Sequence, residues 1–238
     1  MANQEKMTEP TISIVYQHQD FVVLNKPADI NFHDEGQIGT GLFSQVKNQL
    51  NLPELFPVHR LDKMTSGLVI FATNLASTRW FQQAFEQHEI EKFYLAISDK
   101  KPSKKQGLVK GDMEKSRRGS WKLMRSVKNP AITQFFSFGL GNKQRLYILK
   151  PHSGRTHQIR VAMNSLGAPI LGDERYGSVD QEQDRGYLHA YALRFTYQGE
   201  PIELVSPPNS GVHFIAESCQ KQLSQLEQPS NLAWPRVK

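Results

Sequence analysis

The longest clean apolar run in this 238-residue sequence, Gly67 to Ala72, is only six residues long, and it limits what the chain can build. A membrane-spanning helix needs about 20 such residues. Preceded by Thr65-Ser66 and followed by Thr73-Asn74, the run reads instead as a short buried strand. The residues before it are unusual for such a place. "HRLDKMTSGL" (His59–Leu68) sets Arg60 and Asp62 two positions apart at the strand's mouth. Burying an ion is costly unless it is paired, so this placement has either a structural or a chemical reason.

Strand signals dominate the rest of the chain. "TISIVYQ" and "DFVVLNKP" (Thr11–Gln17, Asp20–Pro27) predict a hairpin, and "ITQFFSF" and "QRLYILK" around "GLGNK" predict another. "KFYLAIS", "LHAYALRFTY" and "PIELVSP" add further strands. Helical spacing places Leu42, Phe43, Val46 and Leu50 on one face. Asn74 reads as the cap of a helix whose stripe of Trp80, Phe81, Ala84 and Phe85 belongs to the core. "THQIRVAMNSLG" predicts a helix stopped by Gly167, and Val212–Leu226 a terminal amphipathic one. Strands that pair with sequence neighbours, with helices interspersed, make an α+β fold around an extended, mixed or largely antiparallel sheet. We expect one domain over residues 11–226, a flexible N-terminus over 1–10 and a disordered tail over 227–238.

Composition narrows the function. The polar N-terminus is not a signal peptide, and the single cysteine, Cys219, excludes an intrachain disulfide framework and fits a reducing cytoplasm. Cys219 itself reads as a half-buried helix residue. No glycine-rich phosphate loop follows a strand, so no nucleotide cofactor has motif support. Net charge is +6, but residues 100–128 alone carry +9. The basic excess is therefore local, suited either to a polyanion or simply to solvation.

A second dense stretch, "HSGRTHQIRVAMNSLGAPILGDERYG" (His152–Gly177), packs His152, Arg155, Thr156, His157 and Arg160 around a loop-to-helix junction. Free backbone N–H groups at a helix start, together with Arg155, suit an anion. Two histidines five apart without a third ligand do not suit a metal. Arg160, beside Ile159 and Met163, is expected to be partly buried and to need a carboxylate. Asp62 needs a cation, and pairing the two satisfies both. Such a pair is either a plain bridge between two halves of the fold or a device that keeps a reactive carboxylate ionised.

Taken together, "LNKPADINFH" (Leu24–His33), "HRLDKMTSGL", "EKFYLAIS" (Glu91–Ser98), "SGRTHQIR" (Ser153–Arg160), "LGDERYG" (Leu171–Gly177) and "GYLHAYALRFTY" (Gly186–Tyr197) closely resemble the RluA-type RNA pseudouridine synthases, in the family's order. The resemblance implies a mixed sheet in two halves, an active cleft across its middle, and isomerisation of uridine to pseudouridine in structured ribosomal or transfer RNA. It implies no cofactor and no metal. Asp62 matches the catalytic nucleophile, Tyr94 the active-site tyrosine and candidate base for ring carbon five, and Arg160 the basic partner of the aspartate. Arg60 matches the residue that fills the gap left by the flipped nucleotide, a step with its own unstacking cost. Ile159 matches an apolar neighbour of the site, and Lys26 with Pro27 a motif that buttresses the tyrosine. His59, Arg155, Thr156 and His157 join these as expected RNA or substrate contacts, the two histidines as hydrogen-bonding scaffolds. Two positions depart from the family pattern: Ala162 stands where a His is frequent, and Ser153 where a Thr is usual. The resemblance is to the shorter members without an N-terminal S4-like domain, which raises the importance of the 100–128 patch. We expect a cytoplasmic monomer with RNA as partner, no membrane and no obligatory protein partner. A non-catalytic RNA-binding or remodelling protein on the same fold is the alternative.

Overall fold

A computed structural model describes residues 12–177, 182–226 and 228–237; the N-terminus expected to be flexible lies outside them. The first hairpin forms as its alternation predicts, β1 (Ser13–Gln17) antiparallel to β2 (Phe21–Lys26). Helix α1 (Leu42–Leu50) buries Leu42 and Val46 and ends on left-handed Asn51. A short β3 (Phe56–Pro57) precedes β4 (Ser66–Ala72), which is buried at every position. Continuous rather than alternating apolarity is what a strand covered on both faces requires. Helix α2 (Leu75–Glu86) starts where Asn74 Oδ1 accepts the Ser77 N–H at 2.8 Å, and its Phe81 and Ala84 lie in the core.

The chain continues through β5 (Glu91–Ser98), β6 (Gln106–Gly111), β7 (Met113–Lys115), β8 (Trp121–Leu123), β9 (Ala131–Gly141) and β10 (Gln144–Pro151). Helix α3 (Gln158–Ser165), strands β11 (Leu188–Tyr197) and β12 (Glu200–Val205), and helices α4 (Val212–Ile215) and α5 (Glu217–Ser224) complete it. The large sheet runs β1-β2-β4-β11-β5-β10-β9-β6, with β3 added to β4 and β12 to β11. Its neighbours are antiparallel except at one seam, where β4 and β11 run parallel through Ser66↔His189 and Ala190↔Gly67. This seam joins an N-terminal half to a C-terminal half. Gly67, at φ +106, lets the two backbones close there: a Cβ on it would lie 2.2 Å from the Ala190 carbonyl oxygen.

Several expectations change. The basic stretch contains β6 and a separate two-stranded ribbon, β7–β8, whose strand signal is masked by its lysines and arginines. The single terminal helix is two, because Ala216 turns extended (φ −57, ψ 141) between α4 and α5. The tail over 228–237 is docked rather than disordered. Trp234 packs on Phe93 and Phe136, its Nε1 donates to the Pro229 carbonyl at 2.8 Å, and Gln134 Nε2 donates to the Pro235 carbonyl. An aromatic with apolar surface to cover outweighs the tail's polar composition. Cys219, expected half-buried, is fully buried.

Candidate active site

The loop between β3 and β4 meets the start of α3 across the seam, enclosing a cleft of about 90 Å³. Its walls carry Arg60, Asp62, Tyr94, Arg155, His157, Ile159 and Arg160. Seven of the residues expected from sequence are thereby brought together from three regions of the chain. Tyr94 comes from mid-β5, where it faces Leu149 on β10 and Ala190 on β11, in the middle of the sheet. A wider depression of about 1030 Å³ opens on the other side of Asp62 and Arg160 and reaches Arg118 and Arg175.

Arg160 Nη1 donates to Asp62 Oδ2 at 3.1 Å, as the paired charges predict. Its stronger partner is a residue sequence reasoning missed. Asp173 receives Nε and Nη2 of the same guanidinium, both at 2.7 Å, and is fully buried, whereas Asp62 keeps 29% of its side chain exposed. Burial pulls Arg160 down, but Asp173 and then Asp62 more than offset it, so the guanidinium is held above its ordinary value. The Tyr176 ring lies 5.1 Å from that guanidinium, and its hydroxyl meets His157 Nδ1 at 3.0 Å and the Trp121 N–H at 2.8 Å. Burial also lowers His157, against the opposing charge of Asp62.

Tyr94 is shifted in the other direction: burial, and then the Asp62 charge, raise its phenol well above the ordinary value. The hydroxyl is therefore protonated at neutral pH. In the resting site it can donate a hydrogen bond, and it cannot accept a proton from carbon until it has given up its own.

Three expected contacts lie outside the cleft. His59 has its Nε2 occupied by the Ile70 N–H at 2.9 Å and its ring on Phe85. Burial first, then Lys92, drives its imidazole down to about 3, so it is a neutral scaffold for β4. Thr156 is exposed on the turn before α3. Lys26 is wholly buried behind the site. Its Nζ donates to the carbonyls of Pro27, Lys63 and Thr65 at 2.9, 3.0 and 2.9 Å, so it braces the Asp62 loop directly. Burial lowers it to about 7, against Asp29.

The turn into α3 is held by Gln158. Its Oε1 accepts from Ser153 Oγ at 2.7 Å and from Arg155 N at 3.2 Å, while Nε2 reaches Ile132 O and Thr133 Oγ1, both at 3.1 Å. Arg155 in turn donates to Asn129 Oδ1 at 2.6 Å, tying the cleft to the basic stretch. Among the described residues no group of three or more His, Cys, Asp or Glu is placed to hold a metal ion. No described helix is long and apolar enough to cross a membrane.

The family model for RNA pseudouridylate synthases matches residues 20–165, which contain Asp62, Tyr94 and Arg160. An uncharacterized RNA pseudouridine synthase of Haemophilus influenzae is 49% identical over 212 residues, covering 89% of this chain and 94% of that one. The dual-specificity RNA pseudouridine synthase RluA of Escherichia coli is 33% identical over 204 residues, 83% of this chain and 92% of that one. Among solved structures, human RNA pseudouridylate synthase domain containing 1 superposes with a TM-score of 0.69 at 28% identity, covering 84% of this chain and 86% of its own. With a family match over more than half its length, and relatives similar over nearly all of theirs, the chain belongs to the RNA pseudouridylate synthase family.

Proposed function

We propose that this RNA pseudouridine synthase acts on a uridine in structured ribosomal or transfer RNA, and that Asp62 is its nucleophile. Product and substrate are isomers, so the balance is simple. The N1–C1′ bond breaks, a C5–C1′ bond forms, C5 gives up a proton and N1 gains one. No electron is gained or lost. The observation that carries the reading is the state of Asp62. It is a carboxylate that reaches solvent inside a cleft, with one oxygen tied to a buried guanidinium. Among the described residues its Oδ1 accepts no side-chain hydrogen bond, which leaves an oxygen for the flipped nucleotide.

The other groups take roles by position. Arg60 is exposed on the cleft rim, where it can occupy the gap left in the RNA stack. Ile159 gives the base an apolar wall. Tyr94, protonated, presents a ring and a donor to the base; it becomes the acceptor for the C5 proton only after handing its own on. RNA is held by the catalytic domain's own basic surface. All eleven Lys and Arg of residues 100–128 are exposed, and the β7–β8 ribbon that four of them decorate abuts α3. A monomer is sufficient, since every group invoked comes from one chain.

The test is tritium release from RNA labelled at uracil carbon five, taken from a strain lacking this protein. Wild type should release tritium and Asp62→Asn should not. Release by both would sink Asp62 as nucleophile, while none from either, with RNA binding intact, would favour a non-catalytic RNA-binding role.

A further inference from the structure

We infer that Asp173 is the positioning residue of this site: it fixes the Arg160 guanidinium so that only one N–H reaches Asp62. This rests on the reading of Asp62 as nucleophile. Two carboxylates share one cation here, and they share it unequally. Asp173 takes Nε and Nη2 in a two-pronged contact at 2.7 Å each; Asp62 takes the remaining Nη1 at 3.1 Å through one oxygen. Paired N–H···O bonds between a planar guanidinium and a carboxylate set orientation as well as distance, which a single bond does not.

Asp173 is also held from outside the cleft. Its Oδ1 accepts the backbone N–H groups of Arg175 at 3.0 Å and Tyr176 at 3.2 Å, and its carbonyl accepts Gly177 N at 2.7 Å. The turn that makes this possible begins at Gly172, whose φ of +73 and approach to the Arg185 carbonyl exclude a side chain. The acid is thus a template built by its own "GDERYG" turn, and Arg160 is laid on it. The Tyr176 ring from the same turn covers the guanidinium.

The consequence is chemical. A guanidinium free to turn would form a fork with Asp62, occupying both carboxylate oxygens and quenching the nucleophile. With two of its donor groups committed to Asp173, Arg160 anchors one oxygen of Asp62 and leaves the other for the sugar. Asp173→Asn keeps the turn, because the amide oxygen still accepts both backbone N–H groups. It removes the charge and presents an NH2 where an acceptor is needed.

The experiment has two readouts on the full chain. In ¹H–¹⁵N spectra the Arg160 Nε–H, assigned by its loss in Arg160→Lys, should persist in Asp62→Asn and disappear into solvent exchange in Asp173→Asn. In single-turnover tritium release from the labelled RNA above, Asp173→Asn should react at least 30-fold more slowly at saturating RNA, with RNA affinity within twofold of wild type. Loss of the Nε–H signal in Asp62→Asn, or a wild-type rate in Asp173→Asn, overturns the inference. Should Asp173→Asn not fold, the comparison of wild type with Asp62→Asn decides alone. A wild type that releases no tritium would fail the functional reading, while the spectra would still judge Asp173.

Discussion

Ser66 and His189 face each other across the parallel seam, Oγ to Nδ1 at 2.7 Å, and this contact sets the tautomer of the histidine. His189 Nε2 lies 2.7 Å from the Ser206 carbonyl, which can only accept, so Nε2 carries the proton and Nδ1 accepts from Ser66. Arg185 Nη2 in turn donates to Ser66 Oγ at 2.6 Å, completing a chain with no place for a second proton on the ring. The two halves of the sheet are therefore fastened by a neutral imidazole.

Acid should loosen this seam. Burial, the largest cause, holds His189 at about 4, below its ordinary 6.5, with the Ser206 bond opposing and Arg185 assisting. Between those values the unfolded chain binds a proton that the folded one refuses. Stability therefore rises with pH across that window and is lost as pH falls through it. At roughly 1.4 kcal/mol per unit, the loss from this one group is on the order of 3 kcal/mol. Urea unfolding from pH 7 to 4 should show the decline, and His189→Gln should make it shallower from a lower starting stability, leaving the part that buried His59 contributes over the same range. An equally steep decline in the variant would refute the assignment.

Lys26 should matter to both stability and rate. Replacing it with Met removes a donor from three carbonyls; that of Lys63 keeps the Asp29 N–H, while loss of the other two bonds costs about 1–3 kcal/mol each before relaxation. We expect Lys26→Met to lose at least about 3 kcal/mol in urea titrations. Because Lys63 and Thr65 bracket Asp62, its turnover should fall at least tenfold at temperatures where it is still folded. Normal turnover in a destabilised variant would mean that the brace holds the fold and not the position of Asp62.

The legible and illegible parts of this molecule differ in physical kind. Asp62 and Arg160 were readable as partners because each sits beside apolar residues where a lone charge is costly. The hairpins and the Asn74 cap follow from local spacing and turn chemistry. Asp173 was visible only as part of a turn motif. Its claim on Arg160 depends on how a glycine-bounded turn folds back on α3, and no periodicity encodes that. Lys26 reads from the sequence only as part of a Lys-Pro motif, and its burial is not legible there: lysine is almost always exposed, and two of the three carbonyls that draw it inward come from residues 37 and 39 positions away. His59, read from the sequence as a hydrogen-bonding scaffold, lies outside the cleft because a backbone N–H from β4 claims its ring nitrogen.

The docked tail should contribute to stability and not to catalysis. Trp234 covers Phe93 and Phe136, with ring centroids 5.9 and 5.0 Å away, and is itself partly buried. Trp234→Ala should cost about 2 kcal/mol, less than a fully buried aromatic would, with turnover unchanged. Melting and single-turnover assays on the same preparation would separate the two. A variant as stable as wild type would show that the tail leaves the sheet in solution.

Binding through the β7–β8 ribbon should be electrostatic and separable from chemistry. The ribbon carries exposed Lys115, Arg117, Arg118 and Lys122, and stands outside the large sheet. It is fastened to the site at two points, Arg175 Nη1 donating to the Arg118 carbonyl and Trp121 N donating to the Tyr176 hydroxyl. Both fastenings use ribbon backbone, and Lys115 lies over the Trp121 ring, so Arg117→Ala with Lys122→Ala is the pair that removes charge without touching either. If each side chain neutralises one phosphate, the slope of log affinity against log salt should become shallower by about 0.7 to 0.9 per residue removed. Affinity at low salt should fall several-fold while the rate at saturating RNA stays at the wild-type value. An unchanged slope would assign the ribbon's charge to solvation. A fall in the saturated rate would show instead that RNA bound to the ribbon acts on the Asp62–Arg160 ion pair through Tyr176, whose hydroxyl touches the ribbon and whose ring covers Arg160.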